Sequence, residues 1–187
     1  MKSLADAVEA IQKINITRDI LPEDSGFPNN RLFPLLRYSG ALKEKDADTV
    51  REILETNGWS NAWVGDIFSR HHYHSITHEV LVALNGSAQV QFGGPNGLSL
   101  SFEAGDVVII PAGVAHKKVE STEGFACLGA YPDGRDYDLL YGEDGERPKA
   151  DENIRRVPVP GNDPLYGSDG PLVKNWVSAQ EQPRASL

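Results

Sequence analysis

Histidine is scarce in this chain and tightly gathered. All five imidazoles lie between His71 and His116, and four of them (His71, His72, His74 and His78) fall within eight residues. In an extended segment residues two apart face the same way, so His72 and His74 can present two nitrogens to one point. Ser75 to Thr77 can turn the chain, and Glu79 then enters the next strand with a hard, negatively charged oxygen. His116 follows the Pro111-Ala112-Gly113 turn, which can bring its strand back across the first. Three imidazoles and one carboxylate suit one divalent ion that takes five or six ligands, with positions left open for a substrate or O2. Iron, manganese, nickel, copper and zinc all accept such donors.

Neighbouring residues compete for the same chemistry. His78 is a rival for Glu79, because adjacent strand residues face opposite ways and only one of the two can point inward. By the same parity His71 faces away from His72. Lys118 and Glu120 share the parity of His116, as a substrate-anchoring or proton-transfer pair or as a plain ion pair near a strand end. Tyr73, Phe68 and Trp63 read as packing residues that can also wall a pocket. Asp106 reads as a turn carboxylate that accepts from backbone amides. Cys127, in an apolar run, reads as core rather than nucleophile. Arg37 is a candidate for holding an anion, although nothing in the sequence separates it from a surface arginine.

The elements that must position these groups change character along the chain. Ser3 to Ile14 predicts a short amphipathic helix capped by Ser3, with Asp6 at the capping-box offset. Ile14–Ile20 and Leu32–Tyr38 predict edge strands, the second broken by Pro34. Asp46–Thr56 is the clearest helix, with Val50, Ile53 and Leu54 on one face and Asn57-Gly58 as its stop. From Trp59 the period becomes two, with strands predicted at Ala62–Phe68, Arg70–His74, Glu79–Leu84, Ala88–Phe92, Leu98–Phe102, Val107–Ile110, Ala115–Glu120 and Phe125–Tyr131. Asn85-Gly86 reads as a hairpin turn, and Gly93-Gly94-Pro95-Asn96-Gly97 as another. Strands at this spacing predict an all-β sandwich or barrel. From Pro132 onward, islands such as Leu139-Leu140-Tyr141, Leu165-Tyr166 and Trp176 predict an ordered wrap through Trp176, with Ser178 to Leu187 loose. One domain is expected over 1–187: a barrel core at about 59–131, an N-terminal arm 1–58 and a C-terminal extension 132–187.

Composition narrows the partners. With 187 residues, 40% of them hydrophobic, 18 Gly and 12 Pro, the chain can bury a core and is rich in turns. A formal charge of −9 argues against nucleic acid, whose phosphates need Lys and Arg. No basic run suits an anionic membrane, and no apolar run is long enough to span one. Cys127 is the single cysteine, so no intrachain disulfide forms. Asp6 and Glu9 interrupt any signal-like apolar stretch, which makes a cytoplasmic protein the expectation. The apolar residues Val80, Val82 and Leu84 face away from the Glu79 side of their strand and need cover, from the arms or from a second subunit, so a homodimer is expected. No Gly-rich loop opens a helix after a strand, which excludes a bound dinucleotide.

The spacing His72-x-His74-x4-Glu79-x6-Gly86 resembles the first motif of the cupins, and Gly105-x5-Pro111-x-Gly113-x2-His116 resembles the second. The resemblance implies a double-stranded β-helix (jelly-roll) fold with short N-terminal helices and a long C-terminal wrap. It also implies one divalent metal held by His72, His74, Glu79 and His116, and its spacing favours Glu79 over His78. The second motif often ends in Asn four residues after the histidine, where this chain has Glu120, so a role of that Asn does not carry over. Phe27-Pro28-Asn29-Asn30, His72-Tyr73-His74-Ser75, Gly129-Ala130-Tyr131-Pro132 and Asp163-Pro164-Leu165-Tyr166-Gly167 are similar to the YjlB-type single-domain cupins. That likeness implies no substrate. The functional expectation is a metal-dependent enzyme acting on a small polar organic molecule, a dioxygenase first and an isomerase or lyase next. A non-catalytic barrel that binds a sugar or organic acid is the reading from another class.

Overall fold

The computed structural model describes residues 3–181. Among them the strands are β1 Asn15–Leu21, β2 Asn30–Ser39, β3 Trp59–Gly65, β4 Glu79–Asn85, β5 Ser87–Phe92, β6 Leu98–Glu103, β7 Val107–Ile110, β8 His116–Ser121 and β9 Ala126–Pro132. The α-helices are α1 Leu4–Ala7, α2 Ala47–Thr56, α3 Lys149–Arg156 and α4 Pro171–Glu181. The strands form a six-stranded sheet in the order β1-β2-β7-β4-β9-β3 and a three-stranded sheet β6-β5-β8, antiparallel throughout. Leu35, Leu81, Val108 and Ile110 of the first sheet pack with Val90, Phe92 and Phe102 of the second. This is the expected all-β jelly-roll barrel.

Asn85-Gly86 is not a hairpin. β4 pairs with β7 and β9, whereas β5 pairs with β6 and β8, so the chain passes from one sheet to the other at Gly86. One linking residue is too few for a two-residue hairpin loop. The turn's polar groups bond sideways instead: Ala104 N–H donates to Gly86 O at 3.0 Å and Ser87 N–H to Thr122 Oγ1 at 3.0 Å. The Gly93–Gly97 turn does join the paired strands β5 and β6.

The central strands of the six-stranded sheet are buried on both faces, which explains the unbroken apolar runs of β4 and β7. Its outer face (Leu36, Tyr38, Val80, Val82, Val107 and Ile109) is covered by Val50, Ile53 and Leu54 of α2 and by Leu172 and Trp176 of α4. Of the two covers expected, the arms or a second subunit, the chain's own arms lie on this face. Trp176 anchors it: the indole is fully buried, stacks on Phe33 with centroids 5.2 Å apart, and donates from Nε1 to Pro34 O at 3.0 Å. Truncating such a side chain costs about 3–5 kcal/mol.

Three other expectations change. The N-terminal helix is only Leu4–Ala7 followed by a 3-10 turn at Ile11–Lys13, because Val8 bridges Leu42 and Glu9 N–H bonds Ala41 O. β2 is an interior strand between β1 and β7, and Pro34 is tolerated because β7 pairs only with Leu36, Arg37 and Tyr38. The C-terminal wrap contains α3 and α4. Of the segment expected to be loose, 178–181 belong to α4 and 182–187 lie outside the described residues.

Candidate metal centre

The segment His72–His74 is not a regular strand, yet it is held extended from alternate sides. His72 exchanges backbone hydrogen bonds with His116 at 3.2 and 2.9 Å, and Tyr73 exchanges them with Leu140 at 2.9 and 3.0 Å. His72 and His74 thus keep a common face, while Tyr73 points away and donates to Glu146 Oε2 at 2.8 Å. His116 opens β8, and its approach depends on the preceding turn. Gly113 has φ +93°, and a Cβ there would meet Asn29 O at 2.5 Å, so only glycine fits. Asn29 and Asn30 fasten the same turn, with Ala115 N–H donating to Asn29 Oδ1 at 3.0 Å and Asn30 Nδ2 donating to Ala112 O at 3.0 Å.

The three imidazoles His72, His74 and His116 offer ring nitrogens that all lie within 4.8 Å of one another. Each ring's Nδ1 faces a backbone carbonyl: Arg70 O at 3.0 Å for His72, Asp138 O for His74, and Val114 O at 3.1 Å for His116. A carbonyl only accepts, so each Nδ1 carries the proton and each Nε2 keeps its lone pair. Glu79, on the barrel-facing side of β4, brings Oε2 to 3.4 Å from His74 Nε2 and 3.3 Å from His116 Nε2. Oε2 is fully buried without a hydrogen bond. An unsatisfied buried carboxylate oxygen is costly, and this one lies against two imidazole nitrogens that donate nothing to it. Two donors at right angles on one ion, each about 2.1 Å away, sit about 3 Å apart. The donor set therefore fits a divalent metal.

The charge states of His72 and Glu79 agree with that fit, and that of His74 works against it. Burial, then the neighbouring His116 and His74, push His72 down to about 3, so it is neutral at physiological pH. Burial alone would raise Glu79, but His74 and His116 outweigh it and hold the carboxyl below the usual range, ionised. Burial also works against a charged His74, yet the Glu79 carboxylate raises it overall. A proton and a metal ion would compete for that position.

A second layer supports the donors. Tyr131 Oη donates to Glu79 Oε1 at 3.1 Å and itself accepts from Trp63 Nε1 at 2.9 Å. Gly129 makes this possible, because a Cβ there would lie 2.4 Å from the Trp63 ring. Tyr137 stacks on Tyr131 with centroids 4.9 Å apart. The Asp138 carboxylate binds Ser75 N–H at 2.6 Å and the Ser75 hydroxyl, while its carbonyl holds His74. Sequence reasoning missed Tyr131, Tyr137 and Asp138. Only the Gly129-Ala130-Tyr131-Pro132 likeness hinted at the first, and the 132–138 loop carries no periodicity to reveal the others.

The other candidates are distributed elsewhere. His78 lies on the outer face of the six-stranded sheet beside Trp176, with centroids 4.6 Å apart; its Nδ1 accepts from Ala112 N–H at 2.9 Å and its Nε2 faces Pro158 O at 3.2 Å. His71 turns to Gln91 Oε1 at 3.2 Å and to the Phe27 ring. Glu120 is not at the site. A bulge puts Gln89 opposite Glu120 and Val90 opposite Lys118, so Val119 is an extra residue, 56% exposed, that reverses the parity of β8. Lys118 keeps the inward side but is ion-paired with Asp66. Arg37 is ion-paired with Asp106 at 2.9 Å, and Asp106 also accepts from Gly40 N–H at 2.8 Å and Glu103 N–H at 3.2 Å. Cys127 is buried, and burial pushes its thiol up to about 12.

The donors open into a cavity of about 250 Å³ walled by Trp63, Phe68, Tyr131, Tyr137, Leu81 and Leu139, with Asp66 on one side. His72, His74, Glu79 and His116 form its buried end, while Phe68 and Tyr137 are 55% and 47% exposed at its rim.

A jelly-roll barrel with two such motifs closing on one buried donor cluster defines a cupin, and a family model described as "Cupin" matches residues 68–134. The chain belongs to the cupin family. It is 47% identical over 156 residues to the uncharacterised protein YjlB of Bacillus subtilis (strain 168), covering 83% of this chain and 93% of that protein. Solved structures similar in fold include an acireductone dioxygenase from Bacillus anthracis with cadmium in its active centre (14% identity, TM-score 0.38, 51% of this chain and 64% of that one). Another is vicilin from tomato (16% identity, TM-score 0.36, 60% of this chain and 30% of that one). The chain thus spans under two thirds of either structure's length. Among the described residues no helix is long and apolar enough to cross a membrane.

Proposed function

We propose that this cupin holds one divalent ion on His72, His74, Glu79 and His116 and oxidises a small organic molecule with O2. The observation that carries the metal reading is the convergence of three carbonyl-locked imidazoles on a carboxylate oxygen that is buried without a hydrogen bond. Bound there, a first-row ion supplies a Lewis-acidic centre with open positions for substrate and O2. The protein's own groups do the rest. Tyr131 occupies Oε1 of Glu79 and leaves Oε2 turned to the histidines. Asp138 fixes both His74 and the loop after it. The aromatic walls exclude water from the buried end. On this reading 1–187 is one domain, with both arms serving as cover for the barrel's outer face.

Elemental analysis of the purified protein tests the metal, with about one ion per chain expected and little in His72→Ala. Unchanged stoichiometry in that variant removes the site. O2 uptake by the iron-loaded protein tests the reaction, and no uptake with any phenol, thiol or diketone counts against the oxygenase. An isomerase or lyase is favoured by one observation: Asp66 faces the cavity while paired with Lys118, which places a carboxylate where it can take a proton. Deuterium incorporation from solvent into a turned-over substrate without O2 uptake would select that reading.

A further inference from the structure

We infer that the ligand of this cavity is a monocyclic phenol or catechol: a single aromatic ring with its oxygen donors at one end and no charge at the other. The inference rests on the metal reading above for the oxygen end only.

The charge of the lining works against a ligand with an anionic group at the end away from the metal. No lysine or arginine lines the cavity, and its charged side chains are the carboxylates of Glu79 and Asp66. The ammonium of Lys118 is committed to Asp66. The Arg70 guanidinium lies 4.2 Å above the Tyr141 ring and pairs with Glu143 at 2.7 Å. A metal ion can take two anionic oxygens from one end of a ligand, but an anionic group at the far end would face carboxylates without a partner. Oxalate held through both carboxylates would leave the aromatic walls unfilled.

Hydrogen-bond accounting excludes a sugar, whose hydroxyls need donors and acceptors spread around the walls. Apart from the Tyr137 hydroxyl at the rim, the wall groups are already used. Trp63 Nε1 donates to Tyr131, Tyr131 to Glu79, and Asp66 accepts from Ile67 N–H at 2.8 Å and from Lys118. Uncommitted polar atoms sit at the histidine end: the three Nε2 atoms and Glu79 Oε2.

Shape and apolarity favour a ring. Phe68 and Tyr137 are large aromatics left half exposed at the rim, each edge-on to a histidine of the cluster, with centroids 5.1 Å apart in both pairs. Aromatic walls recognise a planar π-face beyond simple burial. An apolar cavity of about 150 Å³ takes up benzene, so about 250 Å³ here accommodates one ring with substituents and not two fused to a third.

Calorimetry on the zinc-loaded protein, where no redox turnover intrudes, tests this with 4-methylcatechol, 3,4-dihydroxybenzoate, oxalate and glucose, zinc content being measured in each sample. The expected order is 4-methylcatechol first, 3,4-dihydroxybenzoate at least about tenfold weaker because its carboxylate meets like charge, and oxalate and glucose weaker still. Phe68→Ala and Tyr137→Ala should each weaken 4-methylcatechol by about tenfold, the value of one aromatic contact. Oxalate or glucose binding as tightly as the catechol, or both variants leaving its affinity unchanged, overturns the inference. Failure of zinc to bind overturns the metal reading alone. The ring is then judged on metal-free protein, where retained 4-methylcatechol binding that the F68A/Y137A double variant abolishes upholds it and absent binding overturns it.

Discussion

His78 and Glu79 are neighbours in sequence on opposite faces of one sheet, and the two faces use buried polar groups in opposite ways. On the outer face His78 has both nitrogens committed, to Ala112 N–H and Pro158 O, and an indole against its ring. Burial pushes it down to about 3, which keeps it neutral. On the inner face His72, His74 and His116 are as deeply buried, yet each commits only Nδ1. Burial does not distinguish a structural histidine from a candidate ligand. What distinguishes them is convergence: the second nitrogens of His72, His74 and His116 meet one another and Glu79, whereas that of His78 faces Pro158 O. A lone nitrogen without a partner, such as Nδ1 of His71, is not enough.

The sharpest break of that comparison is a pair of alanine variants. His116→Ala should lower metal affinity by more than about a hundredfold, beyond the loss typical of a supporting group. His78→Ala should leave one metal bound while losing about 2–4 kcal/mol of stability, through a cavity and an unpaired Ala112 N–H. Elemental analysis and denaturant unfolding read the two effects separately. Added metal should raise the Tm of His78→Ala and not that of His116→Ala. If His78→Ala loses the metal, the two faces are not distinct.

Next in size are groups that reach the donors indirectly. Asp138→Ala frees Ser75 and loosens the loop that orients His74, and metal affinity should fall by about 10- to 100-fold with the fold intact by circular dichroism. Tyr131→Phe removes the hydrogen bond to Glu79 Oε1, and a drop of about tenfold is expected in the same titration. An unchanged affinity in Tyr131→Phe would show that Glu79 needs no support from the wall.

The smallest effect concerns Tyr73, which points away between the two histidines. Its partner Glu146 is raised by burial, but Tyr141 N–H, the Tyr73 hydroxyl and Gly142 N–H together hold it below its ordinary 4.5. A depressed carboxyl stabilises the fold above its unfolded pKa and loses that contribution as pH falls through the folded value. Glu146→Gln should therefore be less stable than the parent near neutrality by about 1 kcal/mol. The gap should narrow once the pH drops below 4.5. A gap that stays constant to low pH would show that the ionised form of Glu146 is not what holds Tyr73.

Much of the donor set was legible without coordinates, because period-two parity and paired motif spacing are local properties of the chain. The spacing of His72, His74, Glu79 and His116 pointed to one face, and the strands from Glu79 to Tyr131 could be read almost to the residue. Parity carried inference only as far as the ladder stayed regular. At Val119 one extra residue turned Glu120 outward, and no residue type in β8 signals it. At Gly86 an Asn-Gly pair with the chemistry of a hairpin became a corner between sheets, because the partners of β4 and β5 come from distant segments. Which of His78 and Glu79 faces the barrel was settled by the layer packed on each side, with Trp176 on one and the histidines on the other. The sequence by itself determined the candidate donors and their spacing. Only the tertiary structure decided their free nitrogens, their aromatic walls and the carbonyls that lock them, since those partners are brought together by long-range packing.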